Sequence, residues 1–342
     1  MTTRSSRRGT GLCVTVGFAL ALRALVPLAA AADETGDGAG SARQAGEDRW
    51  VASFAITSGV FVQKQKGSAE SSLLEGGTPP AVELQEPVNG HDITVTPFVG
   101  GSVELMSPAL PIPTRPRFFL GAGILPALGT ERTVAVAGDP DCIRGPEPGV
   151  PCTRDETEPR GISFGETSAN GQGSKVETEF DALTYNASFG VAFPLRIGER
   201  QVRIKPSFGW THYKVTGKGL VVDAACQPVS QCTDKLLFGS LILPGFLRET
   251  TLVGKKSQRF NGIGPGLDVE VDTTRYGPIG VSLFAGAHAY YILENRKFKF
   301  GTTQAFDDPV GMDTANANFE VRVNQWIYRG DVGIRFHWLG RD

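Results

Sequence analysis

Residues 183 to 195 read LTYNASFGVAFPL, and apolar side chains occupy every second position of this stretch. The positions between them carry small or polar residues, among them Thr184, Asn186, Ser188 and Gly190. A period of two is the pattern of a β-strand with one apolar face and one polar face. The stretch is also long enough to cross a bilayer as a tilted strand, which takes about 9–11 residues.

Further stretches of the chain repeat this alternation of apolar and polar residues. They lie at 50–62, 93–105, 117–128, 202–210, 263–271, 279–291 and 326–338. Together with residues 183–195 they predict an all-β fold, a single antiparallel up-and-down transmembrane β-barrel of about eight strands.

The connections between the predicted strands alternate between long and short. Two of the short ones are glycine turns, at Arg196-Ile197-Gly198-Glu199-Arg200 and at Tyr276-Gly277-Pro278. Long loops at one end and short turns at the other are typical of bacterial outer-membrane barrels, whose long loops are extracellular. Residues 133–137 and 236–243 are candidates for two extra strands, although we interpret them as hairpins that extend beyond the membrane.

Charged residues recur on the polar faces of the predicted strands. Arg203 and Lys205 lie at the same end of the barrel as Glu270 and Asp272 on the next strand. An eight-stranded barrel has an interior just wide enough to be filled by side chains. We therefore expect a lumenal ion-pair network that closes the barrel, with the other lumenal faces mostly polar. Its predicted members are Arg203, Lys205, Asp268, Glu270, Asp272 and Arg335.

A soluble secreted ligand-binding β-barrel is the alternative fold, because its strands alternate as well. Such a barrel turns its apolar face inward and its charges outward. Aromatic residues near the predicted strand ends favour the membrane arrangement, where they form girdles at the interfaces. These residues are Trp50, Trp210, Tyr291, Trp326, Tyr328 and Trp338.

The first residues have the organisation of an export signal. Arg4, Arg7 and Arg8 precede an apolar run, and Ala30-Ala31-Ala32 offers small residues for cleavage. We predict a signal peptide at 1–32, a flexible periplasmic leader at 33–49 and the barrel at 50–342. Without the signal, 30 basic and 36 acidic residues remain, a net charge of about −6 that disfavours nucleic acid as a partner.

Four cysteines follow the predicted signal as two close pairs in long loops. Cys142 and Cys152 form one pair, and Cys226 and Cys232 form the other. An even number of cysteines in an exported protein predicts two disulfides. Neither pair has the spacing or the nearby histidines of a zinc site, and no metal or cofactor is expected.

The last predicted strand contains Asp331-x-Gly333-x-x-Phe336-x-Trp338. This pattern resembles the C-terminal signal through which the barrel-assembly machinery recognises outer-membrane proteins, although Leu339 to Asp342 follow the final aromatic residue. With the strand count, the chain resembles the small barrels typified by the OmpA transmembrane domain, OmpX and OmpW. The resemblance implies a location in the outer membrane, with membrane lipid and the assembly machinery as partners.

Three functions are compatible with this sequence. The first is a structural or adhesive barrel whose surface loops bind an extracellular partner, and the second is a narrow channel or transporter of small hydrophobic molecules. The third, an enzyme, is disfavoured because the sequence has no Gly-x-Ser-x-Gly, no His-Glu-x-x-His and no phosphate loop. Of the histidines, we expect His288 to be a hydrogen-bonded lumen residue and His337 to lie at the periplasmic rim.

Overall fold

The structure is a computed structural model that describes residues 49–75, 81–84, 88–129, 131–137, 170–198, 200–227, 246–308 and 311–339. Its elements are strands joined by turns. They are β1 (Val51–Glu75), β2 (Ala81–Leu84), β3 (Val88–Met106), β4 (Arg117–Pro126), β5 (Glu131–Ala137), β6 (Asn170–Phe180), β7 (Leu183–Ile197), β8 (Arg200–Gln227), β9 (Phe246–Tyr276), β10 (Ile279–Ile292), β11 (Lys297–Asp308), β12 (Gly311–Val323) and β13 (Trp326–Trp338). Among these residues, no helix is long and apolar enough to cross a bilayer.

Eight of the strands form a closed antiparallel ring in the order β1-β3-β4-β7-β8-β9-β10-β13. Strand β1 closes the ring, since Ala52 pairs with Trp338 of β13 on one side and with Leu105 of β3 on the other. Every ring strand is hydrogen-bonded to the ring strands before and after it in the sequence. These are the eight strands that the alternation predicts, in the predicted up-and-down order.

The outer surface of the ring is apolar, and near the turns at Gly198 and Gly277 the inner surface carries mainly polar side chains. On β7, Phe189 is 59% exposed whereas Thr184 is fully buried. About twelve residues of a strand tilted by about 40° rise roughly 30 Å, close to the thickness of a bilayer's hydrocarbon core. The outward apolar side chains, here called the apolar belt, include Phe54, Ile56, Val60, Ile93, Val95, Val99, Leu120, Ile124, Phe189, Phe193, Phe208, Leu267, Val332 and Ile334.

One end of the ring is closed by the two predicted glycine turns. Gly198 and Gly277 have φ angles of 61° and 56°, in the left-handed region that other residues rarely adopt. Both ends of the ring's chain, at Val51 and Trp338, lie at this same end, here called the short-turn end.

At the other end the described parts of the long connections are strands. Strands β1, β8 and β9 run far beyond the ring, β5 and β6 form a hairpin that pairs with β8, and β11 and β12 form a hairpin that pairs with β1. Residues 133–137 thus belong to a hairpin outside the ring, as interpreted from the sequence, whereas residues 236–243 lie outside the described residues. We call this strand-built extension the head.

Apolar residues fill the head and the adjoining part of the ring. One cluster runs from Phe61 and Phe98 in the ring to Val176 and Phe319 in the head, and each of these residues is at most 1% exposed. The expectation of a mostly polar lumen is therefore wrong for this half of the barrel. The inward residues of β1 and β3 change from polar to aromatic as the strands approach the head.

Candidate functional site

An ion-pair network fills the lumen near the short-turn end, and Glu270 lies at its centre. The Glu270 carboxylate, on β9, is fully buried and pairs with Arg203 and with Lys205, the latter at 3.3 Å. It also accepts a hydrogen bond from Arg335 of β13 at 2.5 Å. Burying a charge is costly unless it is paired, and here one carboxylate faces three cations.

A second carboxylate, that of Glu104 on β3, balances these cations from across the lumen. Lys205 donates to Glu104 at 2.5 Å, and Arg335 lies 3.1 Å from the same group. Asp272 pairs with the third cation, since it lies 2.6 Å from Arg203. The two arginines and the lysine are thus matched by three carboxylates.

Five of the six residues predicted for this network lie together in the structure. They are Arg203, Lys205, Glu270, Asp272 and Arg335. Asp268, the remaining predicted member, forms its hydrogen bond with His288 instead. Asp268 points into the lumen like Glu270 and Asp272, but it lies two residues farther along β9 from the short-turn end than Glu270.

Sequence reasoning missed two members of the network. Glu104 contacts Lys205 and Arg335 only across the lumen, so its role depends on which strands face each other. His337 was expected at the rim but is buried, with Nε2 2.7 Å from Glu270 and Nδ1 2.9 Å from the Ser53 hydroxyl. The sequence contained a signal for this burial, because His337 lies two residues after Arg335 and both side chains therefore lie on one face of β13.

A second polar cluster lies deeper in the lumen, around His288. Its Nε2 is 3.1 Å from Asp268 and 3.6 Å from Asp331, and Arg329 pairs with Asp331 at 3.1 Å. His288 is thus a hydrogen-bonded lumen residue, as expected. Asp268, His288 and Asp331 offer three ligand atoms within 4.8 Å, as do Glu270, Asp272 and His337. Each set holds an arginine on a carboxylate, and we assign both to ion pairing.

An aromatic stack closes the lumen between these clusters and the head, and we call it the aromatic plug. Phe61, Phe180, Tyr213 and Phe260 follow one another with ring centroids 5.0–5.5 Å apart. The buried Tyr213 hydroxyl accepts a hydrogen bond from the Gln63 amide at 2.6 Å. The stacked rings lie across the half of the lumen that the ions do not fill, and each of the four is at most 2% exposed.

The predicted assembly signal divides between the two faces of β13. Asp331 and Gly333 point into the lumen, where the Phe284 ring lies against Gly333 and leaves no room for a side chain there. Phe336 and Trp338 point outward and are partly or largely exposed. Packing explains the glycine at 333 and an ion pair with Arg329 explains Asp331, and the role of the four residues in assembly stays a prediction.

The predicted disulfides fall largely outside the described residues. Cys142, Cys152 and Cys232 lie outside them, and only the backbone of Cys226, near the end of β8, is described. Both disulfides remain predictions.

Exposed ion pairs hold the β5–β6 hairpin against β8 in the head. Lys218 lies 2.6 Å from Glu131 of β5 and 3.0 Å from Glu179 of β6. The hydrogen bond to Lys218 lowers the pKa of Glu131, and the bonds to Glu131 and Glu179 raise the pKa of Lys218. Exposed pairs of this kind contribute less than about 1 kcal/mol each.

We expect the docking of this hairpin to weaken in acid and in strong base. A carboxyl with a lowered pKa contributes stability that is lost as the pH falls through that pKa, and a lysine with a raised pKa contributes stability that is lost as the pH rises through it. Hydrogen exchange of residues 131–137 measures the effect. With exchange expressed as protection factors, which remove the pH dependence of the intrinsic exchange rate, Lys218→Gln is expected to lower protection at neutral pH and to reduce its dependence on pH, and Lys255→Gln is the control. Unchanged exchange in Lys218→Gln would contradict the assignment.

The ring, the ion network and the plug define a class of protein, an eight-stranded antiparallel barrel with a closed and filled interior. No protein-family model and no curated protein sequence matches this chain.

Solved structures similar to this chain are outer-membrane β-barrel proteins. The attachment invasion locus protein Ail of Yersinia pestis is 9% identical with a TM-score of 0.21, and covers 81% of this chain and 97% of its own. A major outer membrane protein of Thermus thermophilus is 13% identical with a TM-score of 0.28, covering 80% and 99%. The outer membrane protease OmpT of Escherichia coli is 9% identical with a TM-score of 0.21, covering 83% and 96%.

Proposed function

We propose that this protein is a non-conducting outer-membrane barrel that presents the head to the cell exterior, where the head binds a surface or soluble partner. One observation carries the proposal: the apolar belt lies outside the ring while a fully paired ion network lies inside it. A water-soluble barrel with this arrangement would expose its apolar surface and bury its charges, at a cost on both counts. In a bilayer the same arrangement is favourable.

The direction of insertion follows from the two ends of the ring. Outer-membrane barrels have short periplasmic turns and longer extracellular connections. The glycine turns at Gly198 and Gly277 therefore belong in the periplasm, and the head, built from the long connections, belongs outside. The barrel-assembly machinery and outer-membrane lipid are the partners that this placement requires.

The filled lumen favours display over transport or catalysis. Water and solutes would have to cross the ion network and then the aromatic plug, in which Phe61, Tyr213 and Phe260 are at most 1% exposed. Among the described residues, the buried acids and bases pair with one another. The head is the main part of the described chain outside the barrel, and long ordered connections of this kind usually carry function.

Electrophoretic mobility tests the barrel. We expect the protein to be found in the outer-membrane fraction, and its mobility in detergent gels to change on boiling, because a closed barrel resists unfolding until heated. Recovery in the soluble periplasmic fraction, with no change on boiling, would contradict the proposal and favour the soluble alternative.

Epitope insertion tests the direction. An epitope between β11 and β12, after Asp308, is expected to bind antibody on intact cells. The same epitope in the β9–β10 turn, after Gly277, is expected to bind only after permeabilisation and serves as the matched control. The reverse pattern would overturn the orientation.

A further inference from the structure

A row of basic side chains crosses four neighbouring strands at the foot of the head. Lys66 of β1 pairs directly with His91 of β3 on one side and with Arg322 of β12 on the other. Arg322 in turn pairs directly with Lys297 of β11. All four side chains are exposed on the outward face. Adjacent strands lie about 4.8 Å apart, so this basic row spans roughly 14 Å.

The basic row begins where the apolar belt ends. On β1, Val60 of the belt is followed on the same face by Val62, Lys64 and Lys66, and on β3, Ile93 is followed by His91. Lys64 pairs with Ile93, so it adds a further cation at the boundary itself. In the proposed orientation this level is that of the lipid headgroups in the outer leaflet.

Like charges placed directly opposite each other destabilise a sheet. Two outward lysines of β8 have acidic partners within the chain, since Lys214 lies 2.9 Å from Asp181 and Lys218 lies between two glutamates. In the basic row only Lys297 has one, Glu320 at 2.6 Å, and among the described residues Lys66 and Arg322 form no ion pair. An anion bound from outside the chain would therefore offset the repulsion between Lys66 and Arg322.

We propose that the basic row binds the phosphate groups of outer-leaflet glycolipid. The inference rests on the proposed membrane placement. Lipid is favoured over a soluble polyanion because the row is continuous with the apolar belt, so one ligand can place its acyl chains on Val60 and Ile93 and its phosphates on Lys66 and Arg322. Anionic headgroups attract each nearby lysine or arginine, and the effects of several add.

The test compares two variants of the full chain that lose the same charge. Lys66→Gln/Arg322→Gln removes the centre of the row, and Arg132→Gln/Lys255→Gln removes two exposed cations elsewhere in the head. Each protein, in detergent, is titrated with diphosphorylated lipid A and with lipid A that lacks both phosphates, and bound lipid is measured by native mass spectrometry. We expect the row variant to bind the phosphorylated lipid roughly 30-fold more weakly and the control to change less than about twofold.

A second readout separates binding from a structural role. Without lipid, the row variant is expected to unfold at the same or a higher temperature than the wild type, because repulsion between Lys66 and Arg322 is removed. Equal binding by the row variant, or equal binding of both lipids by the wild type, would overturn the proposal. Preference for a soluble sulfated polysaccharide over lipid A would overturn it too. A wild type that lacks the mobility change on boiling would instead refute the membrane placement.

Discussion

Glu270→Gln is expected to lower the free energy of unfolding by about 3–5 kcal/mol, the usual cost of removing one partner from a buried ion pair. The Glu270 carboxylate is fully buried and contacts Arg203, Lys205 and Arg335. Glutamine keeps the size but not the charge, so the network would bury one uncompensated positive charge. The measurement is denaturant unfolding of the protein in lipid vesicles, followed by tryptophan fluorescence.

Two further variants make this prediction specific to charge balance. Asp272→Asn removes a carboxylate that is 33% exposed and, among the described residues, forms an ion pair only with Arg203, so we expect an effect of less than about 1 kcal/mol. The double variant Glu270→Gln/Lys205→Met removes one charge of each sign and is expected to be more stable than Glu270→Gln by itself. A single variant with wild-type stability would show that the network contributes little.

Tyr213→Ala is expected to cost about 3–5 kcal/mol of unfolding free energy, as large-to-small changes of buried aromatic residues do. The ring is fully buried and stacks on Phe180 at 5.0 Å and against Phe260 at 5.5 Å. Tyr213→Phe keeps the stack but removes the acceptor of the Gln63 amide. Its expected cost is about 1–3 kcal/mol, that of a buried donor without a partner.

The same variants test the two closures of the lumen. In planar bilayers we expect no conductance from the wild type or from Tyr213→Ala, because the ion network still blocks the short-turn end. Conductance in Tyr213→Ala would show that the aromatic plug alone closes the barrel. Conductance in the wild type would contradict the non-conducting function itself.

The alternation of residues predicted the ring because strand geometry is local. Successive side chains of a strand point to opposite faces, so the parity of a residue determines its face without knowledge of any partner strand. This is why Leu183 to Leu195 could be assigned to a strand with one apolar face. The same rule places Phe61 on the inner face of β1, between Val60 and Val62 on the outer face. The alternation therefore indicated an inward aromatic residue, although the sequence analysis expected polar residues there.

Pairing between distant parts of the chain is not local. Glu104 and Lys205 are far apart in sequence, and their 2.5 Å contact depends on the closure of the ring and on the register of its strands. The basic row likewise exists only because β12 returns to pair with the upper part of β1, which places Arg322 opposite Lys66. Neither juxtaposition has a periodic signature in the sequence.

The sequence by itself therefore determined the eight strands, their order and the face on which each residue lies. These follow from backbone geometry and from the separation of apolar and polar side chains. Only the tertiary structure decided that Glu104 and His337 join the lumenal charges, how the aromatic rings fill the lumen and how the long connections build the head. These depend on register and on distances across the barrel, which arise only when strands distant in the chain are brought side by side.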